Sequence, residues 1–347
     1  MKRNINDLVR ENVRRLKPYS SARSEFEGEA EIFLDANESP YGPEYNRYPD
    51  PLQKELKQAI GKRLKLSADS LFLGNGSDEA IDLLFRAFCE PREDKVLICS
   101  PTYGMYKVSA GINDIEVVDV PLDQDYQPDL PRLQKAMAET SPKLIFFCSP
   151  NNPTGNAMDR NRVEAILESA PGLVILDEAY ADFAPEKSFL NAVEKWPNLV
   201  VLRTFSKAWG LAGLRLGIAA ANPEVINVLN KIKPPYNLSS VVQKLALEKV
   251  KEGFPTAQVT ELISQRESLT AQLKRNPSVL EVLPSDANFL LVRFRNAGEV
   301  FDQLRGQGTI IRDRRSYVPD GLRITIGTPE ENQILINQLN RLLSPQT

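Results

Sequence analysis

Residues 144–180 read LIFFCSPNNPTGNAMDRNRVEAILESAPGLVILDEAY. The first residues, 144–148, are a short apolar run that ends in a polar, proline-interrupted turn, Ser149-Pro150-Asn151-Asn152-Pro153-Thr154-Gly155. Val163, Ile166 and Leu167 then recur at helical spacing, and 173–176 is apolar again before Asp177. Strand, helix and strand in that order imply a right-handed crossover between parallel neighbours that are buried on both faces.

The alternation extends both ways. Residues 71–73, 95–99 and 115–120 upstream, and 199–203 downstream, read as further buried strands, with Ile81, Leu84, Phe85 and Phe88 marking a helix between them. The expected core is α/β with a mostly parallel sheet. After Pro234 and Pro235 the pattern changes to a long helical region over about 239–276, strands near 279–283 and 288–293, a helix near 298–305, a strand at 322–326, and a closing helix with Ile334, Leu335, Leu339 and Leu342 in step. That is an α+β arrangement. Leu8, Val9, Val13 and Leu16 mark one amphipathic helix, too little for a core of its own, expected against the second domain or a partner chain. The expected division is a large domain over 40–238 and a small one combining 1–39 with 239–347.

Composition removes several classes of function. The chain's 347 residues suffice for two domains, and 42% apolar with 26% charged residues describes an ordinary globular protein. A net charge of −3, without a long run of Lys and Arg, argues against a nucleic-acid partner. Charged residues fill 1–15, so no signal peptide is read there, and the apolar runs are too short to span a bilayer. Cys89, Cys99 and Cys148 are odd in number and lack metal-ligand spacing; they read as reduced core thiols in a cytoplasmic protein without a metal site. There is no histidine, which excludes Ser-His-Asp and Cys-His nucleophiles and most zinc hydrolases. Proton transfer is left to Lys, Tyr, Asp, Glu, a cofactor or water.

In an open parallel sheet, ligands gather beyond the carboxyl ends of the strands. Four segments place polar or basic residues there: Gly74-Asn75-Gly76-Ser77-Asp78-Glu79, the Ser149 to Gly155 turn, Asp177-Glu178-Ala179-Tyr180, and Thr204-Phe205-Ser206-Lys207. The first reads as a tight turn opening a helix. Alone it is an ordinary N-cap, with an anion site at the helix N-terminus as the second reading. It is not a nicotinamide motif, because Glu79 stands where a third glycine belongs. Asp177 ends an apolar run, where a carboxylate needs a partner: a structural salt bridge, or a protonated heterocycle that it would keep electron-withdrawing. Lys207 reads either as a surface lysine or, among Trp209, Gly210, Leu211 and Gly213, as an amine in a cleft with a lowered pKa. Arg215 offers a bidentate donor to a phosphate.

Together these residues resemble the fold type I aminotransferases, which depend on pyridoxal 5'-phosphate, and within them the branch acting on L-histidinol phosphate. The resemblance runs from Pro18-Tyr19 to Leu322-Arg323-Ile324-Thr325-Ile326-Gly327. Its motifs come in order: Leu34-Asp35-Ala36-Asn37-Glu38, Pro101-Thr102-Tyr103-Gly104-Met105-Tyr106, the Ser149 to Gly155 turn, Asp177 to Tyr180, Ser206-Lys207, and Pro234-Pro235-Tyr236-Asn237. It implies a homodimer whose large domain carries a mostly parallel sheet of the seven-stranded type.

By the same resemblance, Lys207 is the Schiff-base lysine and proton shuttle, and Asp177 faces the pyridinium nitrogen. Asn152 and Tyr180 bond the phenolic oxygen, and Tyr103 stacks on the ring. Ser77, Asp78, Ser206 and Arg215 form the phosphate cup, and Tyr48 reaches the same phosphate from the partner subunit. Tyr19, Asn37, Arg312 and Arg323, with Arg23 less closely matched, line the substrate side. The implied reaction exchanges the amine of L-histidinol phosphate with 2-oxoglutarate, giving imidazole-acetol phosphate and L-glutamate. A threonine-phosphate decarboxylase or a broad aromatic aminotransferase of the same fold is the alternative. Two positions depart from the family pattern: Lys233, commonly Arg, and Trp209, often Phe.

Overall fold

The structure, a computed structural model, describes residues 4–19, 32–42 and 44–341. Seven strands form one sheet: β1 (Leu71–Asn75), β2 (Lys95–Ile98), β3 (Glu116–Asp119), β4 (Leu144–Cys148), β5 (Leu173–Asp177), β6 (Leu199–Thr204) and β7 (Leu216–Ala221), in the order β1-β7-β6-β5-β4-β2-β3. β4 pairs in parallel with both β2 and β5, as the crossover reading requires. Every residue of β4, β5, β6 and β7 is buried, which is why their sequences run apolar instead of alternating. The expected α/β core is present.

β7 was not foreseen in the sequence. Its residues, Leu216-Gly217-Ile218-Ala219-Ala220-Ala221, are mostly small and of low strand propensity. It runs antiparallel to both neighbours, β1 and β6. Close approach explains the glycine at its second position. A Cβ on Gly217 would lie 2.1 Å from the Gly76 carbonyl carbon and from the Ser77 nitrogen.

By contact the chain divides into two compact units. The first comprises Met1–Lys95, Lys107–Glu116 and Phe189–Phe254. In it the helix Gly76–Phe88 follows β1 without a linker and buries Ala80, Ile81, Leu84, Phe85 and Phe88. The single amphipathic helix expected near the N-terminus is instead a 3-10 turn, Ile5–Asp7, followed by the short helix Glu11–Arg15. Ile5, Leu8, Val9 and Val13 are buried, whereas Leu16 is exposed. Arg10 fastens this segment, its N–H donating to the Ala87 carbonyl at 3.0 Å and its guanidinium pairing with Glu90 at 3.0 Å.

The second unit comprises Val96–Tyr106, Val117–Ser188 and Pro255–Thr347. Besides its strands of the large sheet it contains a four-stranded antiparallel sheet, β8 (Val279–Val282), β9 (Phe289–Phe294), β10 (Arg312–Asp313) and β11 (Gly321–Thr325), ordered β10-β11-β9-β8. Leu269, Leu290, Val292, Phe294, Leu304, Leu322 and Leu339 form its core with the helices Thr256–Leu273, Ala297–Gly306 and Pro329–Arg341. The long helical region read over 239–276 is two helices, Ser240–Glu252 and Thr256–Leu273, broken where Gly253 takes φ +109 and Pro255 follows. No helix among the described residues is long and apolar enough to cross a membrane.

Candidate active site

In the first unit a cradle forms where three chain segments meet. β1 ends at Asn75, and the helix begins at Gly76, whose φ is +72. The loop joining β6 to β7 carries Ser206, Lys207 and Arg215. Register does the rest: Gly217 pairs with Gly74 on β1 and with Thr204 on β6, so both ends of that loop meet the start of the helix. The Gly76 N–H donates to the Arg215 carbonyl at 2.8 Å. Arg215, in a left-handed conformation, brings Nη1 to 3.5 Å from Ser206 Oγ and Nη2 to 3.7 Å from Asp78 Oδ2. A Cβ on Gly76 would lie 2.7 Å from Arg215 Nη2, so a side chain there would push the guanidinium aside as well as strain a backbone at φ +72.

A helix N-terminus, a hydroxyl and a guanidinium around one space are the donor set of a phosphate monoester. Ser77 is half-buried at the first turn, and Lys207 is exposed on the same loop as Ser206. The turn after β1 is braced from behind. Asn237 Nδ2 donates to the Leu73 carbonyl at 2.9 Å and to Glu79 at 3.2 Å, while Glu79 accepts the Asn75 N–H at 2.5 Å. Tyr48 stacks on Tyr236, ring centroids 4.5 Å apart, and is 51% exposed.

The second unit holds a different group. Asp177, 2% exposed at the end of β5, accepts the Tyr106 hydroxyl at 2.9 Å on Oδ2 and the Ala179 N–H at 3.1 Å on Oδ1. Tyr106 is fully buried, stacked on Phe146 at 4.8 Å and edge-on to Tyr103 at 5.6 Å. Burial, and then the Asp177 charge, push its phenol well above the ordinary tyrosine pKa, so it stays a neutral donor. A carboxylate oriented in this way suits a protonated ring nitrogen.

Asn152, buried after β4, accepts a hydrogen bond at 2.5 Å from Arg323 Nη1 on its Oδ1. The Arg323 guanidinium lies over the Phe289 ring at 5.2 Å, and Tyr180 meets the same ring edge-on at 5.1 Å. Burial raises the Tyr180 pKa, opposed by Arg323 and Arg314. Arg312 faces Arg323 across β10 and β11. Burial and then Arg312 lower the Arg323 pKa, and its Nε is buried without a hydrogen-bond partner. An orphaned guanidinium donor beside a second arginine is a place for an anion.

The structure thus brings Ser77, Asp78, Ser206 and Arg215 together, with Lys207 on their loop. Separately it groups Tyr103 with Asp177, through Tyr106, and Asn152, Tyr180 and Arg312 with Arg323. Tyr19 and Asn37 join neither group by a hydrogen bond among the described residues. Tyr19, 70% exposed, lines a cleft of about 330 Å³ with Lys231, Lys233 and Tyr236, and Asn37 is exposed with φ +55. Arg23 lies outside the described residues. Tyr106, which joins Tyr103 to Asp177, and Arg314, whose charge opposes the rise in the Tyr180 pKa, carried no assignment from sequence. Tyr106 was hidden as one more aromatic in a quoted segment, and Arg314 was open to discovery from its two-residue spacing to Arg312.

The model of the family "Aminotransferase class I and II" matches residues 30–339. A histidinol-phosphate aminotransferase of Parabacteroides distasonis is 49% identical over 343 residues, 98% of this chain and 99% of that protein. One from Cytophaga hutchinsonii is 48% identical over 342 residues, 96% of this chain and 98% of that protein. The crystal structure of histidinol-phosphate aminotransferase from Sinorhizobium meliloti in complex with pyridoxal-5'-phosphate matches with a TM-score of 0.77 at 24% identity, covering 88% of this chain and 90% of that one, a likeness of fold.

Proposed function

Because the chain belongs to the class I and II aminotransferases, we propose that it exchanges the amine of L-histidinol phosphate with 2-oxoglutarate, reversibly, as a step of histidine biosynthesis. Pyridoxal 5'-phosphate is its cofactor and supplies, when bound, an electron sink for breaking the substrate Cα–H bond. Lys207 holds the cofactor through its amine and carries the proton at the substrate Cα. Asp177 keeps the ring nitrogen protonated, fixed in that direction by Tyr106 and Ala179. Asn152 and Tyr180 hydrogen-bond the phenolic oxygen, and Tyr103 covers the ring. Ser77, Asp78, Ser206 and Arg215 hold the phosphate. Tyr48 completes the phosphate site of the partner subunit in a cytoplasmic homodimer. The large domain of this reading spans 40–238, with 1–39 and 239–347 as the small one.

One observation carries the choice of substrate. Arg323 is tied to Asn152 yet keeps a buried Nε unpaired. Histidinol phosphate has no α-carboxylate, so its phosphate takes the place that glutamate's carboxylate occupies in the other half-reaction. Arg323, helped by Arg312 and Tyr19, serves both anions, with Asn37 on the imidazole side. The test is kcat/KM for L-histidinol phosphate and L-phenylalanine with 2-oxoglutarate, together with carbon dioxide release from L-threonine phosphate. Preference for histidinol phosphate is expected. Rapid carbon dioxide release would make the protein a decarboxylase, and preference for phenylalanine an aromatic aminotransferase.

A further inference from the structure

Beside Arg312 and Arg323 stands a third guanidinium. Arg314 follows β10 directly, and its N–H donates to the Gly321 carbonyl at 3.0 Å, so the pairing with β11 continues through it. Residues two apart in a strand share a face. Arg314 therefore stands on the same side as Arg312, which faces Arg323 across the strands. The intervening Asp313 falls on the opposite face, where it pairs with Arg315 at 2.7 Å. Among the described residues no carboxylate pairs with Arg312, Arg314 or Arg323.

The placement of Arg314 is constrained. Its guanidinium lies 5.6 Å from the centroid of the Tyr317 ring, and the Tyr317 hydroxyl is 3.8 Å from where a Cβ on Gly104 would stand, next to Tyr103. Arg314 is half-buried, and burial, then Arg323 and Arg312, lower its pKa. Three like charges on one face, one with a buried unpaired donor, disfavour the ligand-free state. An arriving anion relieves that repulsion, and a dianion relieves it about twice as strongly as a monoanion.

We propose that Arg314 is a specificity-determining residue that biases this site toward a phosphate dianion over a carboxylate. The proposal rests on the function given above and deepens it. Arg312 and Arg323 suffice for glutamate, while the extra charge is felt mainly by the phosphorylated substrate. The aminated and keto forms of that substrate share the phosphate, so both are favoured alike.

The experiment uses the holoenzyme, whose cradle is filled by the cofactor's own phosphate. Binding of inorganic phosphate is measured by calorimetry for wild type, Arg314→Gln and Arg314→Lys, alongside kcat/KM for L-histidinol phosphate and for L-glutamate. Arg314→Gln is expected to weaken phosphate binding by about tenfold and to lower kcat/KM for histidinol phosphate to a similar extent. The L-glutamate half-reaction should change by about threefold or less, and Arg314→Lys should restore most of the phosphate binding, since it keeps the charge. Equal losses for histidinol phosphate and glutamate, unchanged phosphate binding in Arg314→Gln, or no phosphate binding by wild type would each overturn the proposal. A wild type that transaminates glutamate but not histidinol phosphate would overturn the assigned function, while the calorimetric comparison would still decide the role of Arg314.

Discussion

The cradle and the arginine–carboxylate group hold charge in opposite ways. The cradle is built by backbone: Gly76 at φ +72, Arg215 at φ 54, and Gly217 pressed against the start of a helix. Its guanidinium, Arg215, is half-exposed. The other group is built by buried side chains, with Asp177, Tyr106 and Asn152 all at 6% exposure or less. A backbone site binds its ligand firmly but cannot change its charge. Groups that tune a pKa or distinguish substrates need side chains in a low dielectric, where each hydrogen bond is stronger and each loss costs more. The cradle is therefore vulnerable to added atoms, and the other group to removed ones.

The sharpest separation comes from Lys207→Ala. Transamination should fall by about 10⁴-fold or more, because nucleophile and proton carrier vanish together. The cofactor should still be retained by the cradle, as equilibrium dialysis would show. Borohydride treatment of wild type should fix the cofactor to the peptide containing Lys207, and label on another lysine would overturn this assignment. Asp177→Asn comes next, with an expected loss of about 10²- to 10³-fold in turnover and weaker cofactor binding. Turnover near wild type would reduce Asp177 to a structural role.

Arg323→Ala should lower kcat/KM in both half-reactions by about 100-fold, about 1.5–3 kcal/mol for each charge-assisted contact removed. Loss in only one half-reaction would show that the two anions do not share the site. Gly217→Ala tests the cradle by adding a methyl group where the backbone leaves none. A penalty of about 1–3 kcal/mol in folding stability or cofactor affinity is expected, read from urea midpoints with and without cofactor. The smallest effect belongs to Tyr106→Phe, which removes one of the hydrogen bonds to Asp177 and should cost about 1 kcal/mol. If turnover and cofactor affinity are both unchanged in that variant, Tyr106 does not orient Asp177.

Much of the fold was legible because burial leaves a mark on sequence. The uniform apolar runs of β4 and β5 announced parallel buried strands, and Asp177 stood out as a charge closing one of them. β7 escaped because its glycine, held small by the contact at Gly217, and its three alanines look nothing like a strand. β10 escaped because two polar residues, one exposed and one half-buried, carry no periodicity. Pairings across long stretches of chain left no local trace: Arg323 and Asn152 are 171 positions apart, and Tyr106 and Asp177 are 71. For such pairs the sequence supplied residue types without a spacing to join them, and the family resemblance assigned roles to Asp177, Asn152 and Arg323 one by one but none to Tyr106.

The pairing of β1 with β7 also bears on how the protein is made. β1 is finished by Asn75, but the strand it pairs with among the described residues begins at Leu216. At a synthesis rate of about 5–20 residues per second, the roughly 140 residues between them take on the order of ten seconds to emerge. During that interval Leu71, Phe72 and Leu73 have no strand beside them, and an unpaired apolar strand edge invites association with other chains. The cradle cannot close before Arg215 and Gly217 have left the ribosome, so the nascent chain has nowhere to lodge a phosphate until about two-thirds of it has been translated.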